Sequence, residues 1–486
     1  MFWSILLGGF MDLSRLIYLL LVFLFLSGRP SFGQEFWERS IPDHPVSVVF
    51  LSKYIQIPSV TGNEKPAGEF LANACREMGL HVRLFTEETD SYNFAASLYP
   101  LEMGKPNIIF LTHIDVVPEG DAELWTYPPF AGVIADDHIW GRGAFDNKGH
   151  GVMQLFALAS FVEEAAMREF QYNFTLLAVS NEESDGSLGA GLVTDNFLHE
   201  LSPTAVYGEG GTGCSGILNA APELVVFGVE VAQKRALWLK LEARGANFGH
   251  GSVPSHQYPA KELTLATNAI LNMKVKPVLT PLVLNMLKEI GYHEKGIRKV
   301  ALKNYRLFSP VIGKKVCQEE LINALMHNTI TLTGVGSSSG AYNQMSHSTW
   351  ATFDVRLLPG ATTEEFLKML RKKIKGYDVE LIVIKETPHS PVSDTGPYYH
   401  ALIQALHETF GNVPVSAMLM PATNDNHFFR SKGIPAYGLV PAMFDPAHVQ
   451  SIHNVNERIP ITALDQGIAA YQSLIRILSA NLFAED

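Results

Sequence analysis

The chain reads NIIFL at residues 107–111 and continues directly into THIDVVP at residues 112–118. A short apolar run of this length is typical of a strand that is buried on both faces of a sheet. Residues 174–179, with the sequence FTLLAV, show the same pattern, and helix-like stretches at 66–80 and 149–166 alternate with these strands. This alternation predicts an α/β fold with a mostly parallel sheet that is covered by helices on both faces.

The pattern changes at about residue 236. Stretches that alternate with period two, as half-exposed antiparallel strands do, occur at 237–243, 329–333 and 350–356. Helical stretches at 261–273 and 319–326 lie between them. We therefore expect a smaller α+β domain, ferredoxin-like, over residues 236–390. It would be inserted into a first domain that spans 45–235 and resumes over 391–486.

Composition excludes several classes of protein. The chain has 486 residues, of which 47% are hydrophobic and 18% charged, and its net charge is −12. A nucleic-acid partner is not expected, because a phosphate-binding face needs clustered Lys and Arg. The three cysteines are odd in number and far apart, so they indicate small buried side chains and neither a disulfide framework nor a thiolate metal site.

The N-terminus resembles an export signal. Arg15 precedes an apolar run at 16–26, which is followed by small residues up to Gly33. Eleven apolar residues are fewer than the roughly 20 that span a membrane. Residues 1–33 therefore predict a secretory signal peptide, of more ordinary length if Met11 is the true start. An uncleaved membrane anchor is the alternative, and either interpretation predicts a secreted or periplasmic protein.

Two side chains in the first half of the chain suggest metal chemistry. His113 follows the 107–111 strand, and ligands of such sheets bind beyond the carboxyl ends of the strands. A lone histidine there is more often structural. Asp146, however, lies in the glycine-rich turn GRGAFDNKG at 141–149, and a carboxylate with two free oxygens can bridge two cations.

Further carboxylates follow the next strands. Glu182 and Glu183 come directly after 174–179, where adjacent carboxylates are costly unless a cation neutralises them. In isolation, two solvated loop acids would be the simpler interpretation. Glu209 in YGEGG and His453 in SIHNVNER extend the set to two imidazoles and three ligand carboxylates with one Glu to spare. Nitrogen and oxygen donors without sulfur favour two divalent ions, zinc first, with cobalt or manganese as alternatives.

These motifs, in this order, resemble the M20 metallopeptidases from about residue 46 to the C-terminus. The chain is most similar to the carboxypeptidase S branch and its secreted relatives that act on N-acyl amino acids. The markers are HIDVVP at 113–118, GRGAFDNKG at 141–149, EE at 182–183, GEGG at 208–211 and IHNVNE at 452–457. The resemblance implies a zinc-peptidase-like catalytic domain and an inserted lid or dimerisation domain.

The resemblance also implies a role for each residue of the site. One metal would be held by His113, Asp146 and Glu209, and the other by Asp146, Glu183 and His453. Glu182 occupies the position of the family's general base, which takes a proton from the attacking water and delivers it to the departing nitrogen. Asp115 occupies the position of the acid that orients the first histidine.

Three substrate-binding residues are implied as well. His250 matches a histidine that reaches the partner's active site in dimeric members, Asn343 matches a family asparagine, and Arg430 is the candidate for clamping a substrate carboxylate. The sequence departs from the family pattern at Gly208, Asn424 and His427.

The expected function is metal-dependent hydrolysis of an amide bond in peptides or N-acyl amino acids that carry a free carboxylate. A non-catalytic binding homologue, or a hydrolase of a different amide, is the alternative. A homodimer is left open, and contact with a membrane is expected only if the N-terminal segment is not cleaved.

Overall fold

The computed structural model describes residues 44–86, 91–245, 249–338 and 341–480. The predicted signal segment, residues 1–33, lies outside these ranges and stays a prediction. Among the described residues, no helix combines the length and the apolar character that crossing a membrane requires.

A mostly parallel sheet of eight strands forms the centre of the molecule. Its strand order is β1-β2-β6-β3-β7-β14-β8-β13. The adjacent pairs β6–β3, β3–β7 and β7–β14 are parallel. The strands are β1 His81–Leu84, β2 Phe94–Ser97, β3 Asn107–His113, β6 Asn173–Val179, β7 Pro203–Cys214, β8 Val226–Gln233, β13 Val415–Met420 and β14 Ala436–Phe444. All seven residues of β3 and of β6 are buried, as their apolar sequences predict.

Helices cover both faces of this sheet. Ile108 and Phe110 of β3 belong to one apolar cluster, whereas Ile109 and Leu111 belong to another, so alternate residues of one strand face two cores. The predicted α/β architecture is thus confirmed. The helices of this part are α1 Val46–Ile55, α2 Lys65–Glu77, α3 Lys148–Ala159, α4 Val162–Met167, α5 Ala190–Asn196, α6 Leu198–Leu201, α13 Pro397–Phe410, α14 Asn426–Ser431, α15 Pro446–Val449 and α16 Ile461–Ser479. Short 3-10 helices occur at Leu101–Met103 and Ala122–Leu124.

A separate antiparallel sheet has the order β10-β11-β9-β12 and carries two helices on one side, which is the ferredoxin-like arrangement expected. Alternate residues of β11 are buried, in agreement with the period-two pattern. Its elements are β9 Arg235–Arg244, α7 Pro259–Leu271, β10 Thr329–Ser337, β11 Ser348–Leu357, α12 Thr363–Ile374 and β12 Glu380–Glu386. The exact domain limits of 236 and 390 stay predictions.

One local expectation was wrong. The single helix expected over 149–166 is two helices, α3 and α4, which are separated at Ser160 and Phe161. Between α7 and β10, four further helices pack against the large sheet, and Val283 and Leu302 share a cluster with Leu419 of β13. These are α8 Pro281–His293, α9 Gly296–Lys303, α10 Tyr305–Val316 and α11 Glu320–Met326.

A third, three-stranded sheet pairs β4 Val133–Ala135, β5 His138–Trp140 and β15 Arg458–Pro460.

Candidate metal centre

The candidate ligands meet at the carboxyl edge of the large sheet. His113 is the last residue of β3, Glu182 and Glu183 follow its neighbour β6, and Glu209 lies in its other neighbour, β7. Parallel strands bring these positions together because their carboxyl ends lie at one edge. The side chain of His113 is buried.

Asp146 lies between the two histidines. Its Oδ1 is 3.0 Å from Nε2 of His113, and its Oδ2 is 3.2 Å from Nε2 of His453. Glu209 Oε2 approaches the same nitrogen of His113 at 3.3 Å, and Glu183 Oε2 approaches that of His453 at 3.1 Å. The two sets of donors therefore share one carboxylate, which is the arrangement that a two-metal site needs.

Asp115 supports both the first histidine and the acid pair. Nδ1 of His113 lies 2.9 Å from the Asp115 carbonyl oxygen and 3.5 Å from its Oδ1. The two carboxylate oxygens accept the backbone N–H groups of Glu182 and Glu183, each at 3.1 Å, and Oδ2 also accepts the Thr61 hydroxyl. The fully buried Asp115 therefore fixes the position of the Glu182–Glu183 peptide relative to the His113 ring.

The charge balance of the cluster fits bound cations. Burial raises the pKa of Glu182 well above its usual range and, together with Asp146, raises the pKa of Glu183 to about 7. Buried oxygens of Glu183 and Asp425 have no hydrogen-bond partner among the described residues. So many buried carboxylates are costly without a counter-charge.

The donor spacing fits a metal as well. Donor atoms of His113, Glu182 and Glu209 lie within 4.8 Å of one another, as do those of His113, Asp146 and Glu183. Donors that already lie this close together can close around an ion with small side-chain movements. The residues present therefore fit a metal centre.

A buried ion pair lies beneath Asp146. Glu457 Oε2 accepts Nη1 of Arg142 at 2.7 Å and the N–H of Gly143 at 3.0 Å, while Oε1 accepts the N–H groups of Phe145 and Asp146. One carboxylate thus orders the whole glycine-rich turn. Neither Arg142 nor Glu457 is recognisable as a partner from its own motif, because 315 residues separate them in the chain.

The expectation that Arg430 clamps a substrate carboxylate was wrong. Its side chain is 1% exposed, and its Nη2 donates to Glu230 Oε1 at 2.6 Å and also to Gln233. Nη1 donates to the carbonyl of Ala436 at 3.1 Å. The guanidinium is therefore used inside the protein, where it neutralises a buried glutamate.

Hydrogen bonds connect the pair formed by Arg430 and Glu230 to the candidate ligand Glu209. Glu230 Oε2 accepts the amide of Asn424 at 2.5 Å, and the amides of Asn424 and Asn426 both donate to the carbonyl of Glu209, at 3.2 and 2.8 Å. Asn424, which departs from the family pattern, thus links the ion pair to the backbone of Glu209.

The other two departures also have structural reasons. A Cβ on Gly208 would lie 2.3 Å from Oδ1 of Asn426, so a side chain at this position would have to displace Asn426. His427 is buried, its Nδ1 lies 2.7 Å from the carbonyl of Asn424, and burial lowers its pKa to about 4. The imidazole of His427 is therefore neutral at neutral pH.

His250 and Asn343 lie in the domain built on the four-stranded antiparallel sheet β10-β11-β9-β12, which we call the small-sheet domain. They contact each other, with Nδ2 of Asn343 3.3 Å from Nε2 of His250. Both are exposed, and Nδ1 of His250 lies 2.7 Å from the Ser252 hydroxyl. Among the described residues, none of these contacts joins His250 or Asn343 to the carboxylate cluster. Their roles in binding a substrate, and the dimer in which His250 would act, stay predictions.

Two other contacts connect the small sheet to the cluster. Lys385 of β12 forms an ion pair with Asp185, which lies two residues beyond Glu183. Arg356 of β11 donates to the hydroxyl of Thr423 at 2.8 Å, beside Asn424. The four-stranded sheet therefore contacts the loop that follows Glu183 and the segment whose Asn424 bonds the backbone of Glu209.

Fold, donor set and buried acids together define a hydrolytic enzyme with a candidate metal site. The profile of Peptidase family M20/M25/M40 matches residues 109–477. The chain belongs to this family.

Relatives agree with that placement. The chain is 25% identical over 437 residues to the N-fatty-acyl-amino acid synthase/hydrolase PM20D1 of Xenopus tropicalis, covering 87% of this chain and 84% of the relative. It is 25% identical over 392 residues to the probable carboxypeptidase S-like 2 of Dictyostelium discoideum. That match covers 79% of this chain and 74% of the relative. Among solved structures, an M20 family metallo-carboxypeptidase from Sulfolobus solfataricus has the same fold. That match has a TM-score of 0.69 and 19% identity, and it covers 89% of this chain and 99% of that one.

Proposed function

We propose that this protein is an exported dizinc amidohydrolase that cleaves the amide bond of N-acyl amino acids or peptides with a free carboxylate. The observation that carries the proposal is the position of Asp146, whose two oxygens face His113 and His453 at 3.0 and 3.2 Å. Glu182 Oε2 lies 4.0 Å from Nε2 of His113, close enough to take part in a reaction at the metal centre.

The proposed ligands form two groups. His113, Asp146 and Glu209 would hold one ion, and Asp146, Glu183 and His453 the other. The all-nitrogen and oxygen donor set favours zinc, and cobalt or manganese would suit the same donors. When bound, the ions would supply Lewis-acid polarisation of the scissile carbonyl and make water acidic enough to attack it near neutral pH.

Glu182 is the proposed general base. Its carboxylate is nearly buried, and burial raises its affinity for a proton, which suits a group that must accept one and then release it. The N–H of Glu182 donates to Asp115, so the side chain starts from a fixed backbone position. Glu182 would take a proton from the attacking water and deliver it to the departing amide nitrogen.

The substrate class rests on the family and its relatives. The Xenopus relative is named for N-fatty-acyl-amino acids and the Dictyostelium relative for carboxypeptidase S, and both names describe substrates with an amide next to a free carboxylate. Export is proposed because residues 1–33 read as a secretory signal.

The test compares wild type with Glu182→Gln on a panel of dipeptides and N-acyl amino acids of several chain lengths, with added zinc. Glu123→Gln, at an exposed glutamate that belongs to none of these motifs, is the matched control. We expect Glu182→Gln to bind zinc as wild type does, measured by elemental analysis, and to lose at least about 100-fold in kcat.

Two results would overturn the proposal. One is a wild-type protein that holds two zinc ions per chain and turns over no member of the panel. The other is a Glu182→Gln variant as active as Glu123→Gln.

A further inference from the structure

Helices α9 and α10 form a cationic segment on an acidic protein. From residue 295 to 316 the chain has seven Lys or Arg residues and no Asp or Glu, although its net charge is −12. Lys295, Lys299 and Arg306 are exposed and form no ion pair with any other described residue. Arg298, by contrast, pairs with Glu294 at 2.9 Å.

The same two helices expose large apolar side chains. Ile297 is 87% exposed, Leu307 75% and Val311 82%. On α10 the spacing places Leu307 and Val311 on one face, opposite Tyr305 and Ile312, which pack into the cluster with α8 and β13. Helix α10 is thus anchored on one side and presents Leu307 and Val311 on the other, while the adjoining helix α9 adds the exposed Ile297 and Lys299.

We propose that this face, defined by Ile297, Lys299, Arg306, Leu307 and Val311, docks the protein onto an anionic lipid bilayer. An amphipathic helix with Leu, Ile or Val on one side and Lys or Arg beside them suits the boundary between headgroups and acyl chains. Anionic headgroups complement the unpaired cations. A second copy of the chain would instead bring two cationic faces together, which is unfavourable. The inference does not depend on the proposed catalytic activity.

The test uses the full chain with phosphatidylcholine vesicles that contain either no anionic lipid or about 30% phosphatidylserine. Binding is measured by co-sedimentation, and hydrogen–deuterium exchange follows residues 296–316. The variants are Ile297→Asp/Leu307→Asp and Lys299→Glu/Arg306→Glu, all at exposed positions. Met167→Asp is the matched control, because Met167 is an apolar residue of α4 that is 81% exposed.

We expect wild type and Met167→Asp to bind the anionic vesicles, with slower exchange over 296–316. Each double variant should bind about tenfold or more weakly and lose that local protection, since every cation near an anionic surface contributes severalfold in affinity. Because exchange is read at residues 296–316, binding through the N-terminal segment would not be mistaken for binding through this face. Unchanged exchange at 296–316 with anionic vesicles, or equal protection in wild type and both double variants, would overturn the proposal. An acidic protein surface would then be the fitting partner.

Discussion

Oε1 of Glu457 accepts the backbone N–H of Asp146 at 3.0 Å. The same glutamate lies four residues after His453, so one short segment provides a candidate ligand and also holds the turn that carries the shared carboxylate. The positions of Asp146 and His453 are therefore coupled through a side chain that need not touch a metal. Groups of this kind orient ligands and tune their affinity.

Replacing Glu457 by Gln should weaken metal binding. The amide keeps the size of the side chain but removes its charge and turns an N–H donor towards backbone donors. We expect a loss of about 10–100-fold in zinc affinity, measured by competition with a chelator. Glu164→Gln, at an exposed glutamate of α4 that pairs with Arg168, is the control and should change nothing. Wild-type affinity in Glu457→Gln would contradict the positioning role.

Replacing Arg430 by Met should lower stability. It would leave Glu230 buried without its counter-charge, which typically costs about 3–5 kcal/mol in the free energy of unfolding. Arg430→Met/Glu230→Gln should recover part of this loss, as measured by urea unfolding. Arg168→Met, which removes a surface pair with side chains 56% and 45% exposed, should cost less than about 1 kcal/mol. A stable Arg430→Met variant with a raised KM would instead restore the role of substrate clamp.

Replacing Gly208 by Ala should also destabilise the protein. The new methyl group would lie 2.3 Å from Oδ1 of Asn426, whose amide supports the Glu209 backbone. We expect a loss of about 1–3 kcal/mol in thermal or urea unfolding. Gly313→Ala in α10, where the nearest atom would be 3.5 Å away, should be neutral or stabilising by up to about 1 kcal/mol. Equal stabilities of the two variants would show that Asn426 moves aside freely.

Acid should destabilise the protein in part through His448. Its Nε2 lies 2.9 Å from Nε2 of His138, and its Nδ1 accepts the N–H of Asp445. The pKa of His448 is lowered, most by burial and next by the charges of His138 and Arg458. Because the folded state then binds fewer protons than the unfolded state, this contribution is complete above the unfolded pKa of about 6.5. It is lost as the pH falls through and below that value.

The measurement is urea unfolding at a series of pH values between 7.5 and 5, both roughly one unit or more from that midpoint. His448→Gln should flatten the dependence by at most about 1.4 kcal/mol per pH unit, the limit for one proton. His199→Gln, at an exposed histidine, should keep the wild-type slope. A slope that is the same in all three proteins would exclude His448 as the source.

Local patterns predicted the parts of the fold that local forces decide. The apolar runs at 107–111 and 174–179 lie within buried strands, because only a fully covered strand can use so many consecutive apolar side chains. The break between α3 and α4 was not predictable, because both pieces have similar helical patterns. The packing of α8 on β13 was not predictable either, since an amphipathic helix does not specify its partner.

For the candidate site, the sequence by itself determined which residue types are available and that His113, Glu183 and Glu209 follow apolar segments of one predicted sheet. That Asp146 and His453 join them was expected only from the resemblance to the M20 metallopeptidases. Only the tertiary structure decided the partners of the buried charges: Arg430 with Glu230, which are 200 residues apart, and Arg142 with Glu457. The physical reason is that a guanidinium can serve a substrate or a buried carboxylate equally well. Which of the two it meets depends on distances that no local pattern contains.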